Sequence, residues 1–286
     1  SNIVAIVGRP NVGKSTLFNR FLERREAIVD STAGVTRDRH YGKSDWNGVE
    51  FTVIDTGGYE VDTEDAFQGE IIKQVELAVD EATSIIFMLN VAEGLTDTDI
   101  EIHEMLRRAN KPLYIVVNKA DSAREELAAT EFYQLGISKY YTMSSATGSG
   151  TGELLDDIVK DFPTTDYKDP FEGLPKITIA GRPNVGKSTL TNALLDKEQN
   201  IVTDVAGTTR DSIQTLYNKF GHEFVLVDTA GMRRKAKVKE DLEFYSVMRS
   251  VRSIEYSDIV IIMVDATLGW ESQDMNIFGL AQKNRK

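Results

Sequence analysis

The octet GRPNVGKS occurs twice in this chain, at residues 8–15 and again, unchanged, at 181–188. Other landmarks keep the same spacing of 173 residues: Thr36-Arg37-Asp38 recurs as Thr209-Arg210-Asp211, and Asp55-Thr56-Gly57-Gly58 as Asp228-Thr229-Ala230-Gly231. A repeat this regular means two copies of one structural unit. With 286 residues, the chain has room for about two domains at roughly 100–200 residues each.

Between the copies, residues 163–175 (PTTDYKDPFEGLP) hold three of the six prolines and little apolar periodicity. They read as a linker between a first domain over 1–162 and a second over 176–286. Within each copy, short β-branched runs alternate with helical stretches, the pattern of an α/β fold with a mostly parallel sheet flanked by helices. Strands are expected at 3–7, 50–55, 85–91 and 113–118, and helices at 15–22, 97–110 and 151–162. The second copy repeats this with strands at 176–180, 223–228 and 259–264 and helices over 242–256 and up to about residue 285. Strand order does not follow from the pattern.

Cysteine is absent, which removes disulfides, thiolate metal sites and cysteine nucleophiles together and fits a reducing compartment. His40, His103 and His222 lack ligand-like spacing and read as surface or packing residues. No apolar run approaches the roughly 20 residues of a membrane span, and no charged-then-apolar leader opens the chain. A cytoplasmic monomer with no membrane partner is expected. Residues 1–162 carry 16 Lys/Arg against 28 Asp/Glu, whereas residues 163–286 carry 17 of each, so the whole net charge of -12 lies in the first copy. Such a surface repels a phosphate backbone over most of its area, which argues against DNA and confines any RNA contact to a local patch.

The octet matches G-x-x-x-x-G-K-[ST]. Placed between a strand and a helix, such a loop wraps its amides around an anion at a helix N-terminus. Gly8, Asn11, Val12, Gly13, Lys14, Ser15 and Thr16 form the first candidate cradle, and Gly181, Asn184, Val185, Gly186, Lys187, Ser188 and Thr189 the second. Lys14 and Lys187 would reach the β- and γ-phosphates, while Ser15 and Ser188 would ligate magnesium. Asp55 and Asp228 end apolar strands, where an Asp is by itself often a turn former. After such a loop, they read as carboxylates of the magnesium shell, with Gly58 and Gly231 approaching the γ-phosphate. Thr36 and Thr209 lie in polar stretches where a hydroxyl could complete the metal shell; the alternative is a solvated loop threonine.

A phosphate loop does not separate ATP from GTP. In the first copy, Asn118-Lys119-Ala120-Asp121 follows an expected strand, and Ser145-Ala146 follows another apolar run. The Asp121 carboxylate can accept from guanine N1–H and its exocyclic amine, a donor pair that adenine lacks. GTP and GDP are therefore favoured.

These ordered motifs resemble the translation-factor-related, TrmE-Era-EngA-like GTPases, and their duplication resembles the tandem members of that family over essentially the whole chain. The resemblance implies two Ras-like G domains, GTP hydrolysis, and a role in assembling the large ribosomal subunit through that subunit or its RNA. It also implies a KH-like domain after the second G domain. The second copy's base-reading motif would fall near residue 293, beyond Lys286, so the second domain is expected to be incomplete at its C-terminus.

Many such enzymes orient water with a glutamine after the Asp-x-x-Gly motif, but Tyr59 and Met232 stand there. The resemblance then implies that Asn11 and Asn184 help hold a potassium ion; the alternative is that they shape the loop. The copies also diverge beyond that motif. Glu60, Asp62, Glu64 and Asp65 follow in the first, and Arg233, Arg234, Lys235, Lys237 and Lys239 in the second. These are either two solvated loops or a basic surface offered to RNA or to an acidic partner. A nucleotide-sensing module with one non-hydrolysing domain, and a GTPase of tRNA modification, are the competing functions.

Overall fold

A computed structural model of the chain describes residues 2–26, 41–56, 64–118, 129–136, 139–144, 147–163, 169–182, 184–195, 202–204, 213–227 and 251–286. The chain divides into two compact units, and the division falls between Phe162 and Pro163.

In the first unit, β1 (Ile3–Val7) is an apolar run buried along its whole length, as a central strand covered on both faces must be. It lies between β3 (Val49–Asp55) and β4 (Ser84–Asn90), and β5 (Leu113–Asn118) and β6 (Tyr141–Met143) extend the sheet beyond β4, all in parallel. Strand β2 (Tyr41–Trp46) joins β3 in antiparallel pairing, which gives the order β2-β3-β1-β4-β5-β6. The two-residue turn between them holds Asn47 at φ 50° and Gly48 at φ 78°, residue types that tolerate the positive φ demanded by the twist of a tight hairpin.

Helices α1 (Lys14–Glu26), α2 (Glu64–Glu81), α3 (Asp97–Arg108) and α4 (Thr151–Lys160) accompany the sheet. A 3-10 turn covers Ala129–Leu135. Leu17, Phe18 and Phe21 of α1 and Leu154, Leu155 and Ile158 of α4 share one core with Val4, Ile6, Val53, Ile86 and Val116 of the sheet. Helix α3 starts at a capping box, with Thr96 and Asp99 satisfying each other's backbone amides, and ends on Arg107 and Arg108. Both devices suit the helix dipole.

The second unit repeats this plan. Strand β7 (Lys176–Gly181) lies between β10 (His222–Val227) and β11 (Ile259–Met263), both parallel to it. The strands β9 (Ile213–Lys219) and β8 (Val202–Asp204) follow β10 in antiparallel pairing, giving β11-β7-β10-β9-β8. Helix α5 (Lys187–Leu194) follows β7, residues 251–256 are helical, and α6 (Ser272–Lys283) follows β11. Its core gathers Ile179, Leu195 and Leu226. The counterpart of the Asn47-Gly48 turn is Phe220-Gly221, at φ 55° and 76°.

Residues 169–175, within the expected linker, are turn-rich and fastened to this unit. Asp169 pairs with Lys176 at 2.7 Å, and Phe171 is buried. The α/β expectation for two similar units is borne out, and strands β2, β8 and β9 and helix α2 are additions to it.

Candidate functional site

The parallel strands of the first unit end together: Ile6 is in register with Asp55, Val7 with Phe87, and Asn90 with Asn118. In open α/β sheets, ligands lodge beyond such carboxyl ends. The loop from β1 to α1 occupies this edge. Its turn needs Gly8 at φ 150° and Gly13 at φ 105°. A Cβ on Gly8 would lie 2.6 Å from the Met88 carbonyl oxygen. Asn11 takes φ 63° at the exposed crest, a left-handed conformation that asparagine tolerates. Beneath it, Val12 is fully buried.

Lys14 opens α1 and folds back over the loop, its Nζ donating to Gly8 O at 2.8 Å and Arg9 O at 2.6 Å. Burial pushes its pKa down to about 8, against the pull of Asp55 and with the push of Arg9. Ser15 Oγ donates to Asp55 Oδ2 at 3.0 Å, so the end of β3 and the start of α1 bring two oxygen ligands together. Hard oxygen donors of this kind suit magnesium. Thr56 Oγ1 donates to Ile6 O at 2.9 Å, fastening the chain just past Asp55 to β1. From β5, Asn118 is buried and its Nδ2 donates to Val12 O at 2.8 Å.

The second loop has the same form. Gly181 and Gly186 take φ 155° and 102°, Asn184 takes φ 63°, and a Cβ on Gly181 would lie 2.6 Å from Met263 O. Lys187 Nζ donates to Gly181 O and Arg182 O, both at 2.6 Å, and burial lowers its pKa to about 8. Val185 is half-buried, and Ser188 and Thr189 follow in the exposed first turn of α5, as Thr16 does in α1.

The structure thus brings together Gly8, Asn11, Val12, Gly13, Lys14, Ser15, Thr16, Asp55 and Asn118, and separately Gly181, Asn184, Val185, Gly186, Lys187, Ser188 and Thr189. Thr36, Gly58, Lys119, Asp121, Ser145, Ala146, Thr209, Asp228 and Gly231 lie outside the described residues. So do Tyr59, Met232 and the basic stretch from Arg233 to Lys239. Of the acidic stretch, Glu64 and Asp65 begin α2.

Sequence reasoning missed one group at each loop. Arg9 donates to Asp99 Oδ1 at 2.8 Å and Glu93 Oε2 at 2.7 Å, and Arg182 to Asp274 Oδ1 at 3.0 Å and Glu271 Oε2 at 2.6 Å. The Arg in the repeated octet and the Thr96-x-x-Asp99 capping pattern were the available signals.

A family model described as 50S ribosome-binding GTPase matches residues 3–119 and 176–286. Curated proteins called GTPase Der are similar throughout: 62% identity in Flavobacterium psychrophilum, over 100% of this chain and 66% of that protein. In Bacteroides fragilis the identity is 56%, over 100% and 65%. The chain therefore spans just under two thirds of the length of these relatives.

Proposed function

The chain belongs to the 50S ribosome-binding GTPase family, and from that premise we propose that it binds GTP and GDP, hydrolyses GTP, and through its nucleotide state takes part in assembling the large ribosomal subunit. The observation that carries the reading is the Ser15–Asp55 pair, 3.0 Å apart at the foot of a glycine-turned loop. Gly8 has no room for a Cβ at that point, as a loop whose backbone must approach a phosphate requires.

Lys14 and Lys187 carry positive charge to the β- and γ-phosphates, and this is the chief service a protein renders to a loose phosphoryl-transfer transition state. Ser15 with Asp55, and Ser188 with Asp228, would hold magnesium, joined by Thr36 and Thr209; that ion neutralises developing charge on the phosphate oxygens when bound. Gly58 and Gly231 are assigned to the γ-phosphate. In the first domain, Asn118, Lys119 and Asp121 read guanine, with Ser145 and Ala146 closing over it. Asn118 also ties this end of the sheet to the phosphate loop through Val12.

Asn11 and Asn184, both at φ 63° on the loop crests, are assigned to a potassium ion that would supply positive charge to the phosphates as an arginine finger does. The partner is the large subunit or its RNA. Turnover measured in potassium and in sodium chloride at equal ionic strength, with Lys14→Ala and Lys187→Ala as controls, tests the reading. Potassium-stimulated hydrolysis lost in the lysine variants is expected, and a chain without hydrolysis in either salt overturns it.

A further inference from the structure

In each unit, the second residue of the phosphate loop is an arginine held by two carboxylates from the segment that opens a later helix, α3 in the first unit and α6 in the second. Arg9 Nε meets the fully buried Asp99 of α3 and its Nη1 meets Glu93; Arg182 Nε meets the fully buried Asp274 of α6 and its Nη1 meets Glu271. The aspartates correspond, both standing at the third position of their helix and both closing a capping box. The second carboxylates do not. Glu93 precedes the cap in the first unit, whereas Glu271 is itself the cap in the second, at the position Thr96 holds. Two copies that supply the same pair of charges from different sequence positions are evidence that the arrangement, rather than one ancestral contact, has been kept.

Stability does not account for it. Buried ion pairs roughly break even against apolar replacements. Here the same nitrogen, Nη2, is buried without a hydrogen-bond partner in both arginines among the described residues, a desolvation cost borne twice. What the clamp does secure is the backbone of the residue that carries it. The carbonyl oxygens of Arg9 and Arg182 are those that receive the ammonium groups of Lys14 and Lys187. We propose that Arg9 and Arg182 are positioning residues, each pinning the phosphate loop to the N-terminal turn of the helix that follows the neighbouring parallel strand, α3 after β4 or α6 after β11, so that its carbonyl holds the loop lysine in place. That these lysines serve nucleotide phosphates rests on the function proposed above; the positioning itself does not.

The test is an amine-labelling footprint of the whole chain, read by mass spectrometry, on the unmodified protein and on Arg9→Lys and Arg182→Lys. Lysine keeps the charge but cannot bridge two carboxylates through the fork of a guanidinium. In R9K, labelling of Lys14 should rise severalfold while Lys187 keeps its rate, and R182K should give the reverse. Folding is controlled within the same unit: Lys111, whose Nζ donates to Val79 O and Asp80 O, and Lys176, paired with Asp169, should keep their rates in R9K and R182K respectively if the unit stays folded. Unchanged rates at the adjacent lysine, or both lysines rising together, overturn the proposal. A companion titration with a fluorescent GTP analogue in a Lys187→Ala background should show R9K weakening the first site about tenfold, or about 1.4 kcal/mol. Absence of binding by the unmodified chain would instead sink the nucleotide reading and leave the footprint to stand on its own.

Discussion

Asn118 Nδ2 donates to Val12 O at 2.8 Å, joining the last residue of β5 to the turn of the phosphate loop across 106 positions of sequence. The bond is buried, and Val12 is fully covered. One side chain therefore couples the strand that leads into the base-reading segment with the loop assigned to the phosphates. Replacing Asn118 by Ala leaves that carbonyl without its donor, at about 1–3 kcal/mol. Guanine-nucleotide affinity of the first domain should fall by about tenfold or more, measured by titration with the fluorescent analogue. An unchanged affinity would show that the loop keeps its shape without Asn118.

Ser15 and Asp55 make the second test. Asp55→Asn keeps the size of the side chain and removes the charge that a magnesium ion needs. Nucleotide binding should lose most of its magnesium dependence in the first domain and keep it in the second. Titrations with and without chelator read this directly, and equal dependence in the variant and the parent would remove Asp55 from the metal site.

Gly8 and Gly181 stand where a Cβ would come within 2.6 Å of a strand carbonyl. Gly8→Ala and Gly181→Ala should each destabilise their own unit by about 1–3 kcal/mol and weaken nucleotide binding there. Urea unfolding followed separately for each unit checks the first outcome.

The Phe220 turn tests local strain. Phe220 is 90% exposed and takes φ 55°, a conformation that its counterpart Asn47 adopts easily. A non-glycine residue in this region costs roughly 1–2 kcal/mol, and asparagine relieves part of it. Phe220→Asn should stabilise the second unit by about 1 kcal/mol, seen as a higher urea midpoint with unchanged slope. A loss of stability would mean that the ring makes a contact worth more than the strain.

Lys14 and Lys187 give opposite pH trends for folding and for ligand binding. Burial lowers each from 10.5 to about 8 in the folded chain. Between about pH 8 and 10.5 the unfolded chain holds the proton that the folded one has released, so unfolding takes up protons and these groups add stability as pH rises. A phosphate ligand needs the charged form, so nucleotide affinity should fall over the same interval. Binding that strengthens from pH 7.5 to 9.5 would contradict the assignment of these lysines.

Much of this was legible because the determinants are local. The run Ile3 to Val7 is apolar at every position, and the repeated octet marks loop, lysine and serine without any knowledge of topology. Strand β2 escaped because YGKSDW has little β-forming character; it pairs with β3 through the Asn47-Gly48 turn and buries Tyr41, Gly42 and Ser44 against the sheet and α1. Arg9 and Asp99 escaped for a different reason. They lie 90 residues apart and meet only because β4 runs parallel to β1, which places the start of α3 beside the phosphate loop. Local pattern cannot report a contact that strand order creates.

The central claim is tested most directly by one competition titration: the full chain with magnesium and a fluorescent GTP analogue, displaced in turn by GDP and by ATP. Saturable binding that GDP reverses and ATP does not, lost when Lys14 and Lys187 are both replaced by alanine, is the expected result. No saturable binding, or equal displacement by ATP, would contradict it.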